Sequence, residues 1–197
     1  MKTLKIAIMG GGGAGKSCLT YKYTHDKFVD NYQPTIEDSY ELIVEILDKS
    51  YRVEILDSAG TGQFIAMRDI YIKDNDGFIL VYSVVEDTTF DEVKEIHENI
   101  IKIKKHGAMG TLDDSDFTNV PIILCASKCD LKGRRSVSTE EGKKLASEWG
   151  CPYVEVSSKT GQNVIGCFNN IFRQVIVDMN QKELKQKQNK RKCCVML

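Results

Sequence analysis

A run of glycines that ends in lysine and serine lies close to the N terminus. The segment GGGGAGKS, Gly10–Ser17, has the spacing GxxxxGK[ST] and stands between a strand-like run and a helical pattern. Glycines let a backbone wrap around a phosphate chain with its N–H groups pointing inward, and the N terminus of the next helix favours an anion. Lys16 would supply a cation for the terminal phosphates, and Ser17 an oxygen for Mg²⁺. The sequence therefore predicts a phosphate site formed by Gly12, Gly13, Ala14, Gly15, Lys16, Ser17 and Cys18.

Two short polar segments each follow a later strand-like run. SKCD comes directly after VPIILCA, and SSK comes after PYVEV. The carboxylate of Asp130 can accept hydrogen bonds from N1–H and the 2-amino group of guanine, and adenine has neither donor there. The stem of Lys128 can lie along the face of the base. These segments predict a guanine site formed by Ser127, Lys128, Asp130, Ser157, Ser158 and Lys159.

Strand-like and helical patterns alternate along the chain. Six runs rich in Val, Ile, Leu and Tyr predict strands: LKIAIM, YELIVEIL, YRVEILD, GFILVYSV, VPIILCAS and PYVEVS. The second and third are separated by a short DKS turn, so we expect an antiparallel hairpin. Four segments have a helical pattern. The first begins at Ser17–His25, and the others cover Phe90–Lys105, Thr139–Trp149 and Val164–Met179.

The ends of the helical patterns are also informative. Ser138 and Glu141 have the spacing of a capping box at the start of the third helix, and the fourth helix is expected to continue into the charged tail. His106–Asn119 is polar and contains glycine, so it predicts a surface loop that is longer than usual.

The alternation predicts an α/β fold of the P-loop NTPase type. Its sheet would have six strands, mostly parallel with one antiparallel strand, and helices on both faces. Residues 1–180 would form the nucleotide-binding domain, and residues 181–197 a basic tail.

Composition narrows the possible classes of function. The chain has 197 residues with 27 basic and 28 acidic side chains, and this balance gives no indication of nucleic-acid binding. No apolar run reaches the length of a membrane span, and KTLKIAIMG is expected to be a strand, not a signal peptide. Seven cysteines without a CxxC pair indicate reduced thiols, and none of the three histidines is assigned a role.

The phosphate and base motifs resemble those of the Ras family of small GTPases, and the chain is most similar to the Rap subfamily. YQPTIEDSY, Tyr32–Tyr40, resembles the family's switch I, and DSAGTGQFIAMRD, Asp57–Asp69, resembles switch II. The resemblance implies GTP, GDP and Mg²⁺ as ligands. It also implies effector proteins that bind switch I, nucleotide exchange factors, and an activating protein of the Rap type. We expect the protein to be a monomer.

The resemblance also implies roles for single residues. Thr35 would bind Mg²⁺ and sense the γ-phosphate, and Asp57 would order the water shell of the metal, so the metal residues are Ser17, Thr35 and Asp57. Phe28 would pack against the guanine. The Gly60 N–H would reach the γ-phosphate, and the catalytic positions are Lys16, Gly60 and Thr61.

The chain departs from the family pattern at four places. The base motif begins with Ser127 instead of Asn, Gln33 replaces an Asp in switch I, and the loop over residues 106–119 is longer than in most members. The fourth departure is Thr61, which stands where the family has a catalytic glutamine and which Rap-like members share.

Two of these departures affect the chemistry. A threonine hydroxyl cannot readily both accept from the attacking water and donate to phosphate, and Gln63 comes two positions late. We therefore expect slow intrinsic hydrolysis, with a partner supplying an amide in trans; Gly12 leaves room for it. The resemblance implies that the family's asparagine amide both contacts the guanine and ties the phosphate loop to the base segment. Ser127 offers only one hydroxyl, so at least one of these hydrogen bonds would be lost and nucleotide release would be faster. Asp130 would retain the preference for guanine.

The C terminus predicts a lipid anchor. CVML fits the C-a-a-X pattern, and its Leu favours geranylgeranylation of Cys194. The upstream run KELKQKQNKRK carries six basic residues against one Glu and would bind an anionic surface. Cys193 is either a second lipid site or only a neighbour. We expect the protein on the cytoplasmic face of the plasma membrane or an endomembrane.

Three classes of function remain at this stage. The first is a membrane-anchored switch that cycles between GTP and GDP. The second is a guanine-nucleotide-binding scaffold that does not cycle, because Thr61 and Ser127 are both unusual. The third is a small P-loop kinase, against which the switch I segment, the base motif and the lipid tail all count.

Overall fold

A computed structural model describes the backbone of residues 1–28, 37–60, 65–108 and 120–195, and the side chains of these residues except at 65–66, 106–108 and 188–195. Within these ranges the chain forms one sheet of six strands in the order β2-β3-β1-β4-β5-β6. Only the β2–β3 pair is antiparallel. The strands are β1 Lys2–Met9, β2 Glu37–Ile46, β3 Lys49–Ser58, β4 Gly77–Ser83, β5 Ile122–Ser127 and β6 Tyr153–Glu155. The predicted number of strands and their predicted directions are confirmed.

Five α-helices accompany the sheet in the described part of the chain. They are α1 Lys16–His25, α2 Ile65–Asp74, α3 Asp87–Ala108, α4 Thr139–Trp149 and α5 Val164–Val195. The structure confirms that α5 continues into the basic tail. The sequence reasoning missed α2. It also placed the boundary of α3 wrongly, because the first three residues of the predicted loop, 106–108, are helical. Residues 109–119 lie outside the described part of the chain.

The helices cover both faces of the sheet. The β1 side chains Leu4, Ile6 and Ile8 pack in one core cluster with residues of α1 and α5. Ala7 and Met9 point to the other face and pack with residues of α2, α3 and α4. All of β4 is buried, as expected for a parallel strand covered on both faces.

Local sequence explains two boundaries. Ser138 and Glu141 form the predicted capping box at the start of α4, with each side chain bonded to the backbone of the other residue. The hairpin turn consists of Leu47 and Asp48, whose φ angles are 52° and 58°, so it shares only Asp48 with the predicted DKS turn. A two-residue turn with positive φ at both positions matches the right-handed twist of the paired strands, so Lys49 and Ser50 are available to join β3.

The five parallel strands end at the same edge of the sheet. Met9, Ser58, Ser83, Ser127 and Glu155 are their last residues. The segments that follow β1, β3, β5 and β6 therefore meet there, as in other open α/β sheets. None of the helices in the described ranges is long and apolar enough to cross a membrane.

Candidate nucleotide site

The phosphate loop connects β1 to the start of α1. Gly15 precedes the first helical residue and has a φ of 92°, which an L side chain would adopt only with strain. The loop therefore needs glycine at this position in order to turn into the helix. The N terminus of α1 follows the loop directly, and the positive end of the helix dipole favours a bound phosphate there.

Lys16 lies inside this loop. Its Nζ donates to the carbonyl oxygens of Gly10 and Gly11, each at 2.9 Å, and the residue is only 6% exposed. Burial lowers the pKa of Lys16 to about 8, although Asp57 and Glu92 act in the opposite direction. At neutral pH the side chain is therefore mostly an ammonium, held where a phosphate chain enclosed by the loop would meet it.

Asp57 lies near the end of β3 and is fully buried. Neither carboxylate oxygen has a partner with regular hydrogen-bond geometry among the described residues. Burial raises the pKa of Asp57 to about 6, against the opposing effects of the Ser17 hydroxyl and the Lys16 ammonium. A buried carboxylate costs free energy unless a cation or donors compensate it. The oxygens of Asp57 and Ser17 are the hard ligands that Mg²⁺ prefers, so these residues fit the predicted metal.

Gly60 lies against the phosphate loop. A Cβ atom there would be 2.6 Å from Lys16 Nζ and 2.7 Å from the carbonyl oxygen of Gly11. Only glycine allows this approach, which brings the backbone after β3 next to the phosphate position. The geometry is compatible with the predicted contact of the Gly60 N–H.

A cavity of about 220 Å³ lies beside the loop at the same edge of the sheet. Its walls combine backbone, apolar and charged groups, as small-ligand sites usually do. It is lined by Gly15, Cys18, Phe28, Ser127, Lys128, Asp130, Leu131, Ser158 and Lys159. Every one of these except Leu131 was predicted from the motifs or the resemblance.

Ser127 links the cavity to the phosphate loop. Its Oγ donates to the carbonyl oxygen of Ala14 at 2.5 Å, and the residue is 2% exposed. The two residues are far apart in sequence, so this hydrogen bond fixes the base segment relative to the phosphate loop. Because a hydroxyl has one proton, that donor is fully used.

Ser157 has a different place from the one expected. It is not among the residues that line the cavity. Its Oγ accepts a hydrogen bond from the Thr160 N–H at 3.1 Å, and its N–H donates to the carbonyl oxygen of Gln162 at 3.1 Å. It therefore shapes the turn that presents Ser158 and Lys159.

Several predicted residues lie outside the described part of the chain. These are Thr35, Thr61, Gln33 and Gln63, together with the first part of switch I. The last part of switch I, Glu37–Tyr40, is described and forms the start of β2. The backbone of Cys193 and Cys194 belongs to α5, and their side chains are not described.

The structure also contains a groove that the sequence did not indicate. It has a volume of about 610 Å³ and lies between α2 and strands β2 and β3. Tyr71 of α2 donates a hydrogen bond from its hydroxyl to the Glu37 carboxylate across this groove. The groove arises from packing between elements, which no local pattern encodes.

A phosphate loop after the first strand, a buried carboxylate beside it and an adjacent cavity define a P-loop nucleotide-binding protein. The model of the Ras family matches residues 5–177. The chain therefore belongs to the Ras family. Members of this family are GTPases that bind GTP and GDP with Mg²⁺ and act as switches with effectors, exchange factors and activating proteins.

Proposed function

We propose that this protein is a Rap-like GTP/GDP switch with slow intrinsic hydrolysis, held on a membrane by its C terminus. The cavity beside the phosphate loop is the observation that carries the nucleotide assignment. Its lining places Asp130, Lys128 and Phe28 around one space. An acidic acceptor can bind the N1–H and 2-amino group of guanine, and an aliphatic stem and an aromatic ring can pack against its faces.

The phosphate end supports the same proposal. Lys16 would neutralise charge on the terminal phosphates, and the Gly60 N–H would donate to the γ-phosphate. Asp57 and Ser17 would hold Mg²⁺, which supplies charge neutralisation at the phosphate oxygens when bound. The compensating charge would also remove the cost of burying Asp57. Loss of the γ-phosphate would then release the two switch segments.

The slow rate rests on the residue at position 61. In this chemistry the protein mainly positions water and stabilises charge. Thr61 offers a single short hydroxyl where a glutamine amide would both accept and donate. We therefore propose that an activating protein of the Rap type supplies the amide in trans.

The anchor rests on the tail. The basic residues from Lys182 to Lys192 lie along the end of α5 and lead directly to Cys194. A single prenyl group binds membranes reversibly, and basic residues add about 1 kcal/mol each on an anionic surface. Together they would place the protein on the cytoplasmic face of a membrane.

Single-turnover hydrolysis tests the switch against a scaffold that does not cycle. The protein loaded with GTP should hydrolyse it slowly alone and much faster when a Rap-type activating protein is added. A GTP-bound state that persists with the activating protein present would favour the scaffold. Failure to retain any guanine nucleotide would overturn the assignment of the cavity itself.

A further inference from the structure

Glu155, the last residue of β6, accepts hydrogen bonds from three side chains. Arg135 donates to it in a bidentate manner, at 2.9 Å from Nη1 to Oε1 and 3.0 Å from Nη2 to Oε2. Oε1 also accepts from the hydroxyl groups of Thr139 at 2.7 Å and Tyr153 at 2.9 Å. We refer to the paired Arg135 and Glu155 side chains as the clamp.

The clamp connects the two segments that form the base cavity. Arg135 follows Leu131 by four residues, at the end of the segment that begins with Ser127. Glu155 precedes Ser157 by two residues, where the chain turns towards Ser158 and Lys159. The clamp therefore joins the exit of one cavity segment to the entry of the other.

Backbone hydrogen bonds lie along the same connection. The Cys129 N–H donates to the carbonyl oxygen of Val156 at 3.2 Å. Asn163 Nδ2 donates to the carbonyl oxygen of Glu155 at 2.8 Å, which ties the turn after Ser157 back to β6. A shift at the clamp would therefore reach both walls of the cavity.

The electrostatic environment favours a fixed arrangement. The two clamp side chains are only 20% and 22% exposed, so solvent screens them less than a surface pair. Burial acts to raise the pKa of Glu155, but hydrogen bonds from Arg135, Thr139 and Tyr153 outweigh it and lower the pKa. The carboxylate is thus ionised at neutral pH, and bidentate Arg–carboxylate pairs fix orientation as well as distance.

We infer that Arg135 and Glu155 are positioning residues for base recognition, which set the place of Asp130 relative to Ser158 and Lys159. This inference rests on the proposed guanine-nucleotide function of the cavity. Neither clamp residue lines the cavity, so both act through the segments they hold. A carboxylate that accepts from two base donors requires accurate placement, since hydrogen bonds weaken steeply when they are misaligned.

Arg134 provides a matched control. It is also an arginine, it precedes Arg135 directly, and its side chain is exposed. Arg134→Ala and Arg135→Ala therefore remove the same group from nearly the same place in the sequence. They differ in whether the clamp is broken.

The experiment measures release of fluorescent GDP and the preference for GDP over inosine diphosphate, which lacks the 2-amino group. Arg135→Ala should release GDP about tenfold faster and should reduce the GDP preference, because the hydrogen bond to the 2-amino group weakens. Arg134→Ala should match the wild type in both. A lower melting temperature with unchanged release and unchanged base preference would show that the clamp is only a brace and would overturn the inference.

Two further variants keep the test decisive if Arg135→Ala does not fold. Arg135→Lys retains the charge but not the bidentate geometry, and Thr139→Val removes one donor to Glu155 while keeping the shape. Both variants should change GDP release and base preference in the direction expected for Arg135→Ala, but by less. If both variants had the wild-type release rate and base preference, the inference would be contradicted. If the wild type bound no guanine nucleotide, the proposed function would fail first, and that result is separate from any effect of the clamp.

Discussion

The hydrogen bond from Ser127 to Ala14 gives the sharpest prediction at the nucleotide site. Ser127→Ala removes the hydroxyl that donates to the Ala14 carbonyl oxygen at 2.5 Å in a position that is 2% exposed. A buried acceptor that loses its donor costs roughly 1–3 kcal/mol. If this cost falls on the nucleotide-bound state, release should be roughly 5-fold to 150-fold faster.

Fluorescent-nucleotide release measures this effect directly. Ser136→Ala is the control, because the Ser136 hydroxyl also donates to a carbonyl oxygen, that of Val84 at 3.4 Å, and lies outside the cavity lining. Ser127→Ala should accelerate GDP release, and Ser136→Ala should leave it unchanged. The reasoning would be refuted if both variants released GDP at the wild-type rate, since the tether would then not contribute to retention.

The reverse change tests what serine lacks. Ser127→Asn should slow release, because an amide can keep the tether and also contact the base. The preference for guanine over adenine should remain, since we propose that Asp130 provides it. A neutral hydrogen bond contributes about 0.5–1.5 kcal/mol, so we expect up to about a tenfold effect. Equal release from the two proteins would mean that another group already makes the contact with the base.

Four further predictions concern other parts of the chain. Lys16→Ala should severely weaken nucleotide binding, and equilibrium binding at the wild-type level would reject the phosphate assignment. Thr61→Gln should raise the rate of intrinsic GTP hydrolysis about tenfold in a single-turnover assay, equivalent to roughly 1.4 kcal/mol of barrier. An unchanged rate would show that Thr61 does not limit hydrolysis. Cys194→Ser should move the protein from the membrane to the soluble fraction of cells, unless Cys193 or a partner anchors it. The ring of His97 stacks on that of Trp149 with 3.9 Å between the ring centroids. Burial lowers the pKa of His97, so the folded state favours the neutral ring. The contribution of the neutral His97 ring to the free energy of unfolding should be complete above about pH 6.5 and should be lost as the pH falls below it. The fluorescence of Trp149, the only tryptophan, should report a midpoint below 6.5, and His97→Gln should abolish that transition.

Patterns that act locally predicted most of the fold. The strands could be recognised because buried parallel strands are nearly continuous apolar runs, as β4 and β5 are. The start of α4 could be recognised because the capping box depends only on residues three positions apart. The phosphate loop was predictable for the same reason, since its chemistry is contained in eight consecutive residues.

Features that depend on contacts between distant segments could not be predicted. Helix α2 gives a weak periodic signal because Ile72 is fully buried while Met67 and Ile70 are 42% and 55% exposed. Leu131 lines the cavity, yet an isolated apolar residue after a strand gives no indication of a ligand. The clamp joins two residues from different elements, so its geometry exists only in the folded chain.

The hydrogen bond of Ser127 bears on the choice between two functions, a switch and a scaffold that does not cycle. The scaffold gained support from two unusual residues, Ser127 and Thr61, because loss of the asparagine suggested a weakened site. The serine hydroxyl nevertheless bonds to the Ala14 carbonyl oxygen, so the base segment remains tied to the phosphate loop. Compared with an asparagine, Ser127 therefore lacks only the contact between the amide and the base, and only this loss would weaken nucleotide retention. The decision between the two functions therefore rests on position 61, and a hydrolysis measurement discriminates between them better than a binding measurement does.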